Sequence, residues 1–208
     1  MALGPFVRGL FGRHERRLAE LYRSLFFSVD DYVGTVKQWL PSAAEILEVG
    51  CGEGAVTERL AAAYPDASIT AIDITPRVGR LYRGRSEGVA FRQADVATIA
   101  AEQPGRFDLV VLSDVLHHVP LELRSDLLRQ IRAAMHPNGR LVVKEWEKRP
   151  GPVYWLGYAS DRWVTGDRIR YMTGSDLREL LEQSLGTHRV LRETRITPWR
   201  TNIALLVQ

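Results

Sequence analysis

The 208-residue sequence predicts an α/β fold, a doubly wound, mostly parallel seven-stranded sheet with helices on both faces. Three observations predict it. Short apolar runs alternate with helical patterns from Glu45 to Trp146, as a parallel sheet with crossover helices reads. Three successive units place an acid at or near the strand end, Glu48, Asp73 and Asp95, so polar groups collect on one edge of that sheet. Glycines at alternate positions, Gly50, Gly52 and Gly54, stand between the first strand and its helix, where open sheets of this kind bind ligands.

Each element follows from local pattern. Residues 6–27 carry Phe6, Leu10, Phe11, Leu18, Tyr22 and Phe26 at helical spacing, with Arg8, Arg13, Arg16, Arg17 and Arg23 among them. This reads as amphipathic helix packed on the core; a lid over a site and a basic surface touching membrane lipid are the two functional readings beside it. Val33 to Leu40 is a second helix stopped by Pro41, so 1–40 reads as an N-terminal helical cap. Strand 45–49 leads to helix 54–63, and Tyr64-Pro65-Asp66 turns into strand 68–72. A short helix over 76–83 is interrupted by Gly79 and Gly84. Strand 88–92, a short helix near 97–102, strand 107–112, helix 121–135 and strand 140–146 follow. Segment 148–174 then departs from the pattern. It holds Tyr154, Trp155, Tyr158, Trp163 and Tyr171 with Arg162, Arg168 and Arg170, an aromatic density well above the 9% of the whole chain. Helix 175–184 starts at Ser175 as its N-cap, and strands 187–196 and 201–207 flank a hairpin-like turn at Pro198.

Size and composition bound the function classes. A chain of this length builds one full core, so 1–208 is expected to be a single domain. No apolar stretch reaches the roughly 18 residues that span a bilayer. The N-terminal run MALGPFVRGLFGRHERR lacks the features of a signal peptide. The one cysteine, Cys51, excludes an internal disulfide and suits a reducing, cytoplasmic compartment. Net charge of +3 is too mild to argue for nucleic acid. Only three of 28 basic residues are lysine, and this arginine and alanine richness points to a GC-rich bacterial coding sequence.

The run Ile46-Leu47-Glu48-Val49-Gly50-Cys51-Gly52-Glu53-Gly54 carries the chemistry. Glycine lets the backbone turn sharply and approach a ligand, while the following helix presents its N–H groups and positive end. That is a strand–loop–helix site for a nucleoside-bearing cofactor. Asp73, at the end of the next strand, stands where a carboxylate takes both ribose hydroxyls. Cys51 sits between two of the glycines, where packing suits it better than nucleophilic catalysis.

From about residue 30 to the end, the chain resembles the class I S-adenosylmethionine-dependent methyltransferases of small-molecule type. The resemblance rests on Glu48-x-Gly50-x-Gly52-x-Gly54, Asp73, Asp95 with Val96, strand Phe107 to Ser113, and the turn His136-Pro137-Asn138-Gly139 into the next strand. It implies a Rossmann-like methyltransferase fold whose last strand runs antiparallel. It implies S-adenosyl-L-methionine as cofactor, held by Glu48, Gly50, Cys51, Gly52, Gly54, Asp73 and Ser113. Asp95 would meet the adenine amino group, and Ile74 and Val96 would flank the ring. The rival is a nicotinamide-dependent oxidoreductase, since Gly50-x-Gly52-x-x-Ala55 with Asp73 also fits that fingerprint. A third reading is a non-catalytic S-adenosylmethionine-binding protein.

Methyl transfer needs the acceptor aligned in a dry pocket, and a base only where the acceptor must lose a proton. The candidates are His117 and His118, on the loop after the fourth strand, and Glu145 or Glu147 after the fifth. Imidazole titrates near physiological pH, so either histidine can act as base; the other reading packs one under the loop and solvates its neighbour. No metal is assigned: a metal-dependent mechanism would put a carboxylate at the strand end, where Ser113 stands with Asp114 beside it, and that reading stays open. Segment 148–174 reads as the acceptor-pocket insertion, with Tyr154, Trp155, Tyr158 and Trp163 facing Tyr22 and Phe26 from the N-terminal helix. Arg162, Arg168 and Arg170 either hold an anionic acceptor group or pair with Asp161 and Asp167. The expected acceptor is a small molecule, a hydroxyl-bearing natural product or lipid-like compound, with no nucleic-acid partner. Stable membrane insertion is not expected, peripheral lipid contact by 6–27 stays open, and the chain is read as monomer or homodimer.

Overall fold

The computed structural model describes residues 27–160, 169–186 and 190–208. Helix α1 (Val29–Trp39) precedes strand β1 (Glu45–Val49), helix α2 (Ala55–Ala63) and strand β2 (Ser68–Asp73). Strand β3 (Val89–Gln93), helix α3 (Val96–Glu102), strand β4 (Phe107–Ser113), a 3₁₀ turn at Leu116–His118 and helix α4 (Leu121–Ala134) follow. Strand β5 (Met135–Trp146), helices α5 (Pro152–Ser160) and α6 (Gly174–Leu185), and strands β6 (Val190–Ile196) and β7 (Asn202–Val207) complete it. The sheet runs β3-β2-β1-β4-β5-β7-β6. Strands β1 to β5 pair in parallel, and β7 runs antiparallel to both β5 and β6. The order reverses between β1 and β4, and their C-terminal ends open the crevice where doubly wound sheets bind ligands.

Alternation along the strands divides the core in two. Leu47, Val110, Leu112, Val143 and Leu205 face α3, α4 and α6, where Ile99, Leu128, Ile131, Leu177 and Leu181 meet them. Ile46, Leu109, Val111, Val142 and Leu206 face the other way, onto Tyr32, Val33 and Val36 of α1 and Leu60 and Ala61 of α2. Both faces of β4 are covered, so Leu109 to Leu112 are wholly buried. Each such side chain contributes about 1.5–3 kcal/mol. On β5 the same alternation sends Lys144 toward α1 and Glu145 toward α4.

Several expectations need correction. No helix forms over 76–83, where 76–81 are turns and 82–83 have no regular structure. Gly79 N donates to Gly52 O at 2.9 Å and Leu81 N to Glu53 O at 3.0 Å, so the glycine loop takes N–H groups that a helix would use internally. Gly79 has φ +64, and a Cβ there would fall 2.5 Å from the Phe91 ring. Helix α1 starts at Val29 rather than Val33, because Ser28 Oγ accepts from Asp31 N at 3.1 Å and caps it. Helix α6 is capped by Thr173, not Ser175. Thr173 Oγ1 accepts from Asp176 N and Asp176 Oδ2 from Thr173 N, a reciprocal box that draws the start back to Gly174. Strand β5 begins at Met135, with its register against β4 shifting between Phe107↔Met135 and Leu109↔Arg140. Among the described residues no helix is long and apolar enough to cross a membrane.

Candidate active site

The glycine loop is built by its neighbours. Gly50 N and Cys51 N both donate to Ile72 O, at 2.8 and 3.0 Å, which bends the chain across the end of β2. Gly52 N and Thr75 N donate to the two carboxylate oxygens of Asp73, each at 2.8 Å. Gly50, Gly52 and Gly54 all have positive φ. A Cβ on Gly50 would lie 2.2 Å from Val115 Cγ2, so the loop after β4 presses directly on it. A Cβ on Gly52 would meet nothing within 4 Å, which leaves the space over that residue open. Gly54 sits with φ +94 at the N-cap of α2.

Glu48, on β1, is 2% exposed, and its Oε2 has no hydrogen-bond partner. Burial pushes its carboxyl up to about 7, with the charge of Asp73 adding to the rise. Burial also pushes the Cys51 thiol well up, which keeps it protonated and inert. Ile74, next to Asp73, is 75% exposed, a large apolar side chain left open at the strand edge. Asp95 is the N-cap of α3: its Oδ1 accepts from Thr98 Oγ1 at 2.7 Å and Thr98 N at 2.8 Å. Those two bonds hold its carboxyl below the usual range. The Val96 side chain packs in the core. Ser113 Oγ donates to the hydroxyl of Tyr32, a fully buried residue of α1, at 2.9 Å.

The loop after β4 and the end of β5 form one unit. Glu145 Oε1 accepts from Val115 N at 2.9 Å and Leu116 N at 2.7 Å. Its Oε2 lies 2.6 Å from His117 Nδ1. Both residues are buried, at 1% and 2% exposure. Burial by itself raises the Glu145 carboxyl, but His117, the Leu116 N–H and Lys144 outweigh it and hold the group below its ordinary value. His118 is exposed, its ring tilted 4.1 Å from that of His117. The neighbouring Asp114 has φ +57 and pairs with the wholly buried Lys144 at 2.5 Å. The Lys144 ammonium also lies over the Phe27 ring, 3.5 Å from its centroid.

Asp114, His117 and Glu145 bring one potential ligand atom each within 4.8 Å of one another. Lys144 pairs with Asp114 Oδ2, two main-chain N–H groups and His117 Nδ1 face Glu145, and Asp114 Oδ1 is buried without a hydrogen-bond partner. Glu147 forms a two-bonded pair with Arg195 of β6, at 2.8 and 2.9 Å. That leaves Glu145 as the strand-end acid beside the histidines.

An aromatic group adjoins His117. The Tyr171 ring lies 5.3 Å from the His117 ring, 5.6 Å from Tyr154 and 6.0 Å from Trp146. Tyr158 lies 6.3 Å from Tyr171, and Trp155 touches the group edge-on at Tyr154 while itself 59% exposed. Tyr22, Phe26, Trp163, Arg162 and Arg168 lie outside the described residues; Arg170 is exposed. Sequence reasoning left Tyr32 and Arg124 out of the site, and named Tyr171 only among the aromatics of segment 148–174. It named His117 and Glu145 separately, although their strands, β4 and β5, are neighbours and bring both to one edge.

Strand order, glycine loop and acid-tipped strands make the chain similar to the class I S-adenosylmethionine-dependent methyltransferases. Residues 47–141 match the family model described as a methyltransferase domain. The chain is 38% identical over 105 residues to trans-aconitate 2-methyltransferase of Methylobacterium nodulans, an alignment covering 50% of this chain and 39% of that protein. It is 37% identical over 124 residues to ubiquinone biosynthesis O-methyltransferase of Xanthomonas campestris pv. campestris, covering 58% of this chain and 49% of that protein. The chain thus spans less than half the length of these curated relatives. Among solved structures it is similar in fold to the Burkholderia thailandensis 1,6-didemethyltoxoflavin-N1-methyltransferase, solved with S-adenosylhomocysteine. There the TM-score is 0.69 at 18% identity, covering 97% of this chain and 86% of that one.

Proposed function

We propose that the protein transfers a methyl group from S-adenosyl-L-methionine to a hydroxyl of a small-molecule acceptor, a natural product or lipid-like compound, in the bacterial cytoplasm. The observation that carries this reading is the His117–Glu145 pair, on the loop that presses Val115 against Gly50. The loop residues fit the cofactor. Gly52 leaves open space for close backbone approach, Glu48 Oε2 lacks a donor, and Ile74 offers an uncovered apolar wall. Glu48, Gly50, Cys51, Gly52, Gly54, Asp73, Ile74, Asp95, Val96 and Ser113 are the residues assigned to hold it. When bound, it supplies a methyl carbon already activated by its sulfonium.

The chain's own contribution is alignment and proton removal. Glu145 fixes the imidazole with Nδ1–H donated to its carboxylate, which leaves Nε2 as the basic nitrogen. Nε2 takes the hydroxyl proton, which leaves the oxygen's electron pair for the methyl carbon that the bound cofactor would supply. His117 is 2% exposed, so the acceptor reaches it only when the cover shifts. Tyr154, Trp155 and Tyr158, with Tyr22, Phe26 and Trp163, are assigned to that cover.

Calorimetry with S-adenosylhomocysteine against NAD tests the cofactor, and NAD as the tighter ligand would replace this reading with an oxidoreductase. Asp73→Ala should lose on the order of 1–3 kcal/mol of S-adenosylhomocysteine affinity, since polar partners go unmatched. Once turnover of an acceptor panel identifies a hydroxyl substrate, His117→Ala should slow single turnover about 10²–10⁴-fold, and His118→Ala much less. Full rates in both variants from pH 6 to 9 would leave positioning alone to account for catalysis.

A further inference from the structure

The turn that carries His117 is fastened on its far side by one arginine. Arg124, in the first turn of α4, is 1% exposed. Its Nε donates to Val119 O at 2.9 Å and its Nη2 to Arg170 O at 2.9 Å. Arg170 N in turn donates to His117 O at 3.0 Å. The chain from His117 to Val119 closes these contacts into a ring around one guanidinium. From the other side Glu145 holds the same turn, through Val115 N, Leu116 N and the imidazole.

Filling space does not explain an arginine here. Taking a guanidinium out of water costs several kcal/mol. Arg124 Nη1 is buried without a hydrogen-bond partner, which adds to that cost. A methionine would fill the seam between helix and turn without the penalty. What the arginine adds is directional: two bonds to carbonyls on the two segments that flank His117, and a cation whose field favours the Glu145 carboxylate. Segment 169–172 also presents the Tyr171 ring to the imidazole. A shift of that segment therefore pulls on His117 through Arg170 N and on Arg124 through Arg170 O.

We propose that Arg124 is a positioning residue for His117, clamping the Leu116–His118 turn to the segment carrying Tyr171 so that the imidazole stays aligned on Glu145. Its meaning for catalysis rests on the reading of His117 as the base, but the alignment itself is measurable without an acceptor. The experiment is nuclear magnetic resonance of the 208-residue chain with ¹⁵N-labelled histidine, with and without S-adenosylhomocysteine. Wild type should show His117 in one tautomer with a downfield Nδ1 proton bonded to carboxylate. Arg124→Met should lose that proton and average the two ring-nitrogen shifts, while S-adenosylhomocysteine affinity by calorimetry stays within about twofold. Arg124→Lys keeps the charge but reaches only one carbonyl, and it should fail to restore the wild-type signature. Ile131→Val, on the same helix but in the core, should leave the proton in place and so controls for general loss of stability. An unchanged His117 signature in Arg124→Met, or an equal change in Ile131→Val, overturns the proposal. If Arg124→Met does not fold, Arg124→Lys decides on the same signals, and a wild-type signature there overturns it. Failure of the wild-type chain to bind S-adenosylhomocysteine would refute the methyltransferase reading and leave the histidine comparison standing.

Discussion

Glu48 and Glu145 are both buried at strand ends, yet their surroundings drive them in opposite directions. Glu48 has an unpartnered oxygen and rises to about 7; Glu145 has an imidazole, two N–H groups and a nearby ammonium, and stays low. The consequences for stability have opposite signs. A carboxyl raised in the fold contributes stability that is full below its unfolded value and lost as pH climbs through the folded one. For Glu48 that window runs from about 4.5 to about 7 and is worth on the order of 3 kcal/mol. Glu145 contributes stability at neutral pH that is lost as pH falls through its lowered value. Urea denaturation of the ligand-free protein should therefore show stability declining between pH 5 and pH 7, with Glu48→Gln flattening that decline. A wild-type curve that rises through this range would contradict the assignment. Glu145→Gln should instead weaken the protein most at neutral pH, because it leaves His117 Nδ1 without its carboxylate.

At the scale of elements, the glycine loop and the loop after β4 are one mechanical unit. Gly50→Ala would place a methyl 2.2 Å from Val115 Cγ2 and put an L residue at φ +77. The left-handed conformation alone costs about 1–2 kcal/mol, and the overlap adds to it. We expect Gly50→Ala to weaken S-adenosylhomocysteine binding, and Gly50→Ala with Val115→Ala to recover part of the loss by removing the overlap but not the strain. Calorimetry on the double-mutant cycle checks this; equal losses in single and double variants would uncouple the two loops. This unit also marks how far the sequence is legible. Strands β1 to β5 can be read because each is a short apolar run bounded by turn residues, and the loop because three glycines alternate. The failed helix over 76–83 cannot be read, since the competition comes from Gly52 O and Glu53 O, which local periodicity does not contain. Thr173 was a readable cap, with Asp176 three residues on, but Ser175 lies as close and competes for the same role. His117 and Glu145 are visible as separate candidates, and strand adjacency joins them. Arg124 is hidden because one arginine in an amphipathic helix looks the same in sequence whether its guanidinium meets water or two main-chain carbonyls.

Taken whole, we propose that the molecule divides into a cofactor half and a cover. Strands β1, β2 and β4, with the glycine loop and Asp73, are fixed by the parallel sheet and by main-chain bonds among themselves. The aromatic group of Trp146, Tyr154, Tyr158 and Tyr171 lies against His117, and it is there that we propose the cover. Phe27 is the first described residue, and it already lies on the Lys144 ammonium that pairs with Asp114. Phe27 therefore lies beside the charged end of β5. If residues 1–26 close the acceptor pocket, their removal strips water exclusion from the reacting atoms without touching the glycine loop. We expect a chain beginning at Phe27 to keep S-adenosylhomocysteine affinity within about an order of magnitude and to lose turnover of its acceptor. Circular dichroism establishes that the shortened chain is folded, calorimetry reads the cofactor, and single-turnover kinetics read the chemistry. A shortened protein that methylates at the full rate would make residues 1–26 scaffold or lipid contact and leave enclosure to segment 148–174 alone. Parallel loss of cofactor binding and turnover would instead place 1–26 in the cofactor half.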